Sequence, residues 1–318
     1  MIQELDALDQ RIVAALQVDG RCSWRKMADV LGEPERNINR RASALLDSNV
    51  IAVSALPGNH PTALVRAQCA PGTVRIAATA LANRPDCIFS YALTGGADCV
   101  AEFEVTSGDL SRLVLDELPA TVGVARFWTD PILRYYRTVR EWRPGILTER
   151  EAVGLSDGLP GLPPEQERSK MRPFSALDEK IVAALQVDGR VGFAELARLT
   201  GASEATARRR VDWLLRDGGV RLRVVVDPAC LGLPTEAMLW VKVHPARVDH
   251  LARGLIASPW VRYAAALAGE FQFVANVTAP DEAALYRMVT TAPWVDDVTA
   301  IETDIVLQAA KRSGRLLG

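Results

Sequence analysis

The sequence predicts an α+β protein: two winged-helix-like helix-turn-helix domains and two ferredoxin-like βαββαβ domains, set in tandem as one module and its copy. Three observations carry this. The stretch Ala7–Arg21, ALDQRIVAALQVDGR, returns as Ala176–Arg190, ALDEKIVAALQVDGR, with thirteen of fifteen positions identical. A single repeat at this long spacing marks duplication of a whole module rather than a short-period array. Each copy opens on three short helical patterns and continues into β-branched runs alternating with helical ones. At 318 residues the chain is also too long for one ordinary core.

Composition narrows the class. Hydrophobic residues make up 49% and charged residues 24%, with no apolar run near the ~18 residues of a membrane span. The polar, acidic start MIQELDALDQ carries no targeting signal, and a cytoplasmic location is expected. Five cysteines (Cys22, Cys69, Cys87, Cys99, Cys230) form no CxxC pair and are odd in number, so reduced, mostly buried thiols are expected. A net charge of −2 means that any nucleic-acid surface must be local.

In the first copy, Leu8, Ile12 and Leu16 follow the rhythm of a helix with one buried stripe. Asp6 and Asp9 suit its start, and Asp19-Gly20 is expected to stop it in the left-handed conformation that Gly accepts. Ser23 caps a second helix, Trp24–Leu31, stopped by Gly32. A third, Glu35–Leu46, turns Ile38, Ala42 and Leu45 inward, giving helix-turn-helix spacing. Arg36, Asn37, Asn39, Arg40 and Arg41 then fall on the exposed side of its first two turns. Arg matches guanine edges bidentately, Asn matches adenine, and guanidinium neutralises phosphate. An isolated helix could carry such residues merely as a solvated face; the spacing and the repeat favour DNA.

The second copy repeats the pattern. Ser175-x-x-Asp178 starts helix one, Phe193–Thr200 is helix two, and Gly201 is the turn glycine. Ser203 caps Glu204–Leu215, with Ala207, Val211 and Leu214 inward and Thr206, Arg208, Arg209 and Arg210 outward. Together, LDxxIVxALQxDGR, the Glu195–Ala197 segment and GxSxxTxxRRVxxL (Gly201–Leu214) resemble the DNA-binding domain of the Lrp/AsnC (feast/famine) transcription regulators. The resemblance implies that Ser203, Ala205, Thr206, Arg208 and Arg209, and Arg36, Asn37, Asn39 and Arg40, approach bases and phosphates of double-stranded DNA. Pro34 departs from the pattern, standing where a capping Ser belongs. Pro suits a first helical turn, and the two copies are expected to differ in base specificity.

Val50–Leu56 and Val220–Val226 are short strands linking modules. Beyond the first, strands at Ala63–Cys69, Cys87–Leu93, Cys99–Thr106 and Val122–Leu133 and helices at Thr73–Asn83 and Leu110–Leu118 give the βαββαβ order. The second half repeats it through Ala237–Val243, Val248–Ala257, Val261–Leu267, Phe271–Thr278, Asp281–Thr291 and Val295–Leu307. This order, with the turn Thr94-Gly95-Gly96-Ala97-Asp98, resembles the ligand-binding (RAM) domain of the same family. The resemblance implies that such domains pair through their sheets and bind a small-molecule effector, typically an amino acid, near this turn at Thr94, Gly95, Gly96 and Asp98. In the second copy the candidates are Ala268, Gly269 and Glu270, with Gln272 where Asp98 stands in the first.

The expected domains are 1–56 and 175–227 (helix-turn-helix), 57–143 and 228–318 (RAM-type), and a mobile Pro/Gly-rich linker at 144–174. A pseudo-dimer within one chain and further homo-oligomers are implied by the resemblance. No cofactor, metal ligand set or catalytic residue is expected. The same double architecture resembles the sirohaem decarboxylases, which use His in the ligand-binding half. Here the three histidines, His60, His244 and His250, fall in a loop and about a helix start, while Tyr91 and Tyr263 occupy the hairpins. A third possibility is a ligand-sensing protein whose helix-turn-helix units no longer bind DNA.

Overall fold

The computed structural model describes residues 4–57, 61–105, 109–156, 174–216 and 220–317. The first half runs α1 (Ala7–Val18), α2 (Trp24–Leu31), α3 (Glu35–Asp47), β1 (Ile51–Pro57), β2 (Thr62–Cys69), α4 (Val74–Ala82), β3 (Cys87–Leu93) and β4 (Cys99–Glu104). It ends on α5 (Asp109–Arg112), continued as a π-helical turn over Leu113–Glu117, and β5 (Val124–Arg137). Next come α6 (Glu149–Ser156), α7 (Ala176–Val187), α8 (Phe193–Thr200), α9 (Glu204–Arg216) and β6 (Val220–Val226). The last part holds β7 (Thr235–Val243), α10 (Val248–Ile256), β8 (Val261–Leu267), β9 (Phe273–Ala279), α11 (Glu282–Thr291), β10 (Val298–Arg312) and β11 (Arg315–Leu316). Among the described residues no helix is long and apolar enough to cross a membrane. His60 lies outside the described residues.

Two compact units result, and neither is one sequence copy. Both helix-turn-helix modules fall in one, Leu5–Asn59 with Arg143–Asp227. Its centre is a two-stranded antiparallel ribbon of β1 and β6, in which Ser54 lies opposite Arg223. These two residues are equivalents in the repeat, so a local two-fold axis passes between them. The DGR ends of α1 and α7 pack on this ribbon. A Cβ on Gly20 would lie 3.0 Å from Val53 Cγ1, and one on Gly189 would lie 2.7 Å from it. Neither glycine takes a positive φ, and the caps Asp19 and Asp188 are extended. The expected left-handed stop at Asp19-Gly20 is therefore corrected: Gly is needed there for close approach. Gly32 and Gly201 are left-handed, with φ of 71° and 73°.

The arginines of the two DGR motifs then cross over. Arg21 donates to the carbonyls of Gly189 and Val191 at 2.8 and 3.0 Å. Arg190 donates to those of Gly20 and Cys22 at 2.7 and 3.1 Å. Each guanidinium also covers an equivalent ring, Arg21 over Phe193 at 4.9 Å and Arg190 over Trp24 at 4.0 Å.

The 144–174 segment holds more than a linker. α6 packs on α1 and α2 with Leu155 fully buried, Lys26 Nζ donates to the Leu155 carbonyl at 2.7 Å, and Arg11 pairs with Glu151. With eight residues, little more than two turns of helix, and one buried leucine, its pattern is too short to register as periodic. Its cover buries Ala14 and Gln17 in the first copy, while the equivalent Ala183 and Gln186 are exposed.

The second unit contains both βαββαβ halves. Its strands run β10-β3-β4-β2-β5-β8-β9-β7 and close back from β7 onto β10, so eight strands form a barrel. Closure comes from β5 and β10, which are longer than the sequence pattern suggested. Each pairs first within its own half and then with the other, β5 with β8 through Ile132↔Leu267 and β10 with β3 through Val306↔Leu93. Leu81, Phe103 and Leu118 make one outer core under α4 and α5, and Leu251, Phe273 and Trp294 the other under α10 and α11.

Inside the barrel, apolar Leu64, Tyr91, Trp240 and Val274 alternate with buried charge. Glu236 accepts from Arg262 Nη1 at 2.7 Å and Arg312 Nη1 at 2.8 Å. Burial raises its pKa, but the two guanidiniums outweigh this and hold it at about 2. No cation pairs with Glu102 among the described residues: burial pushes it up to about 7, against the hydrogen bond that Tyr135 Oη donates to its carboxylate. A carboxyl bound more tightly to its proton when folded costs stability progressively as pH rises from its ordinary value towards the folded one, and the cost is complete above both. Glu102→Gln is expected to gain stability over the parent by on the order of 2–3 kcal/mol between pH 5 and pH 8 in paired urea titrations.

Candidate nucleic-acid interface and effector turns

The third helix of each module is placed by its apolar face. In α3 burial of Ile38, Ala42 and Leu45 leaves Arg36, Asn39 and Arg40 exposed and Asn37 half-exposed. Asn37 Oδ1 accepts from Arg40 at 3.1 Å, and Asn39 Oδ1 accepts from Ser43 at 3.2 Å. Pro34 sits at the N-cap itself, not in the first turn, with extended φ and ψ and no side-chain cap. In α9, Ser203 Oγ caps the helix by accepting from Thr206 N at 3.2 Å. Ala205, Arg208 and Arg209 are exposed. Arg208 lies over the Phe193 ring at 4.3 Å and 3.7 Å from Glu204, one turn away. Arg36 and Arg209 make no ion pair with another described residue.

Two of the expected residues are engaged within the protein. Arg41 is engaged by Asp6 and Asp9, at 2.6 and 2.9 Å. Its equivalent Arg210 grips Asp178, a carboxylate with 1% exposure, through both Nε (2.7 Å) and Nη2. Each arginine fastens the third helix to the start of the first. The sequence signal was present: acids at Asp6 and Asp9 and at Asp178, already assigned as caps, sit at helix starts that the turn brings beneath the third helix. Arg21 and Arg190, absent from the sequence-based candidates, set the relation of the two modules.

Asp178 is raised by burial but lowered more by the Arg210 hydrogen bonds and the Ser175 capping box, leaving it below its ordinary value. Its contribution is therefore intact above about pH 4 and lost as pH falls below that. Arg210→Ala is expected to cost about 2–4 kcal/mol of unfolding free energy at pH 7. Arg209→Ala should stay within about 0.5 kcal/mol of the parent; equal losses in urea titration would contradict the division of roles.

In the barrel unit, each glycine turn is completed by the other half. A Cβ on Gly95, whose φ is +92°, would fall 1.8 Å from Asp304 Oδ1. One on Gly269 would fall 2.0 Å from Asp130 Oδ1. Thr94 N donates to the Ile305 carbonyl and Ala268 N to that of Pro131, at 3.0 and 2.9 Å. Behind the carboxylates stand equivalent residues of unlike chemistry. Trp240 Nε1 donates to Asp304 at 2.9 Å, while Arg66 Nε lies 3.3 Å from Asp130. Burial pushes Asp304 up to about 6. Arg66 is itself buried, 5.0 Å from the Trp240 ring and 4.8 Å from that of Phe271.

Gly95, Gly96 and Gly269 thus line composite sites with Asp304, Glu302 and Asp130, carboxylates not among the expected residues. Glu270 is exposed and paired with Lys242 at 2.7 Å. Asp98 faces inward to the turn's own frame: its carboxylate accepts from Cys69 N at 2.8 Å. Gln272 does the same for Val243 N at 3.2 Å. The substitution of Gln for Asp leaves this anchor intact, so it does not distinguish the two turns. Among the described residues no group of three His, Cys, Asp or Glu side chains could hold a metal ion. His244 caps the turn at Ala246, and the half-exposed ring of His250 pairs with Asp297.

The folds are those of a protein with two helix-turn-helix modules and a barrel built from two βαββαβ halves. A family model for the AsnC-type helix-turn-helix domain matches residues 5–46 and 175–215, and one for the Lrp/AsnC ligand binding domain matches 236–316. The chain belongs to the Lrp/AsnC family. It is 27% identical over 146 residues to the HTH-type transcriptional regulator FL11 of Pyrococcus horikoshii, covering 45% of this chain and 96% of that one. It is 34% identical over 137 residues to the HTH-type transcriptional regulator Rv2324 of Mycobacterium tuberculosis, covering 41% and 89%. The solved siroheme decarboxylase NirDL shares the architecture over 97% of this chain and 93% of its own, with a TM-score of 0.61 at 13% identity. That likeness is one of fold.

Proposed function

We propose that the chain is a DNA-binding transcription regulator that acts as an intramolecular pseudo-dimer and answers to a small-molecule effector. The observation that carries this is the local two-fold at Ser54 and Arg223, which relates two third helices with exposed guanidiniums at Arg36 and Arg40 and at Arg208 and Arg209. A two-fold protein matches two half-sites spaced by a helical turn or a multiple of it. Because RNINRR and ATARRR differ, the half-sites differ in sequence: Asn37 and Asn39 suit adenine edges, and the argininyl pair of α9 suits guanine and phosphate. The composite turns take the effector, and the backbone groups beside Gly95 and Gly96, facing Asp304 and Glu302, suit a ligand with both an acidic and an amino end, such as an amino acid.

An enzymatic reading rests on the shared architecture with NirDL. The described histidines, His244 and His250, stand on the outer surface of the barrel unit with the partners given above, which favours the regulator. Titration with an iron porphyrin is expected to give no shift of its absorption bands; a stoichiometric shift would revive the enzyme.

The test is selection of bound fragments from random duplex DNA, followed by titration at several salt concentrations. Binding is expected to weaken steeply with salt, as phosphate contacts release counterions. Arg209→Ala should lose about 1–3 kcal/mol on the selected site. Failure to enrich any sequence, or a salt-independent isotherm, would sink the assignment.

A further inference from the structure

Cys69 and Cys99 lie side by side beneath the Thr94–Asp98 turn, with Sγ atoms 3.7 Å apart. Cys69 ends β2 and Cys99 begins β4, and the ladder sets Ala67 opposite Cys99. Cys69 is thus the diagonal neighbour of Cys99 on the same face, a placement from which side chains meet. Cys99 is fully buried in the outer core, and Cys69 is half-buried at its margin. The other three thiols, Cys22, Cys87 and Cys230, are buried. The backbone between the pair is the frame of the turn: Cys69 N donates to Asp98, Asp98 N to the Ala67 carbonyl at 2.9 Å, and Leu93 N to the Asp98 carbonyl at 2.8 Å.

We propose that Cys69 and Cys99 are an oxidisable dithiol whose disulfide locks the first effector turn and leaves the second untouched. The two sulfurs already point at each other, and a disulfide needs them to close to about 2.0 Å. The oxidant is hydrogen peroxide. The Cys69 thiolate attacks its outer oxygen, the O–O bond breaks, and Cys69 becomes a sulfenic acid while hydroxide leaves. The Cys99 sulfur then attacks that of Cys69; the S–S bond forms, the S–O bond breaks, and the departing hydroxide takes the Cys99 proton. Two thiols have lost two electrons to the peroxide, giving two waters in all. Cys69 leads because it is the reachable thiol and because burial pushes Cys99 further up than Cys69, which the neighbouring sulfur lowers. Val243 and Phe273 stand at the equivalent places in the second half, so duplication has left one turn redox-sensitive and the other fixed.

The full reduced chain is treated with hydrogen peroxide, its remaining thiols are alkylated, and unreduced peptides are mapped by mass spectrometry. The expected result is a Cys69–Cys99 linked peptide lighter by two hydrogens, with two alkylatable thiols lost and both restored by dithiothreitol. Amide exchange is expected to slow over residues 94–99 and to stay unchanged over 268–273. Cys99→Ser should lose the link and leave Cys69 as a sulfenic acid trappable by a 1,3-dione. Cys69→Ser, with a parental melting curve, should lose both. A chain whose Cys69 and Cys99 remain alkylatable, or which links them only in urea, overturns the proposal, and so does a link that leaves exchange at 94–99 unaltered.

Discussion

The helix unit depends on one close approach, that of the DGR segments to the ribbon formed by β1 and β6. Gly20 and Gly189 have no room for a side chain against Val53 and Leu222. Because the chain comes so near, Arg21 and Arg190 can reach carbonyls of the opposite module and satisfy acceptors that the contact would otherwise bury unpaired. Five donors in a planar fork suit this bridging of two carbonyls at once. That is a physical reason for ALQVDGR standing unchanged in both copies: glycine and arginine are each held by the opposite module, so a change in one copy is felt by both.

The barrel unit obeys a looser rule. Its closing strands β5 and β10 repeat their pairing residue for residue, yet the interior they enclose is not symmetric. Glu236, Arg262 and Arg312 form a charged cluster whose equivalents are Thr62, Ile88 and Thr138. Arg66 meets Trp240, its own equivalent, and Glu102 answers to Asn276. In a dimer of identical chains a charge near the axis comes twice and must tolerate its own image. Within one chain that restraint is gone, and a carboxylate on one side can be matched by guanidiniums on the other. The two glycine turns inherit this difference through Asp130 beside Arg66 and Asp304 beside Trp240.

Much of this was legible in the sequence. Helix starts at Asp6, Ser23 and Ser175, the left-handed glycines at 32 and 201, the buried stripe Ile38, Ala42, Leu45 and the βαββαβ order all follow from local rules of capping and periodicity. Of the residues expected at a nucleic-acid interface, Arg36, Asn37, Asn39, Arg40, Ala205, Thr206, Arg208 and Arg209 lie on the outer side of their helices. The ion pairs of Arg41 and Arg210 were not legible because helical spacing gives the direction of a side chain, not the acid that waits there. The carboxylates Asp130 and Asp304 were missed as parts of the turn sites because each lies far along the chain from the glycine it faces.

The amino-acid sequence by itself determined the elements, the duplication and the chemistry borne by each third helix, since these depend on neighbours within a few residues. Only the tertiary structure decided which copy supplies the partner. Strands β1 and β6 cross to one another, the closing strands leave their own half, and α6 buries Ala14 and Gln17 where the identical Ala183 and Gln186 stay exposed. Identical segments acquired unlike surroundings because burial is a property of what packs against a residue, and that is set by contacts more than a hundred positions away.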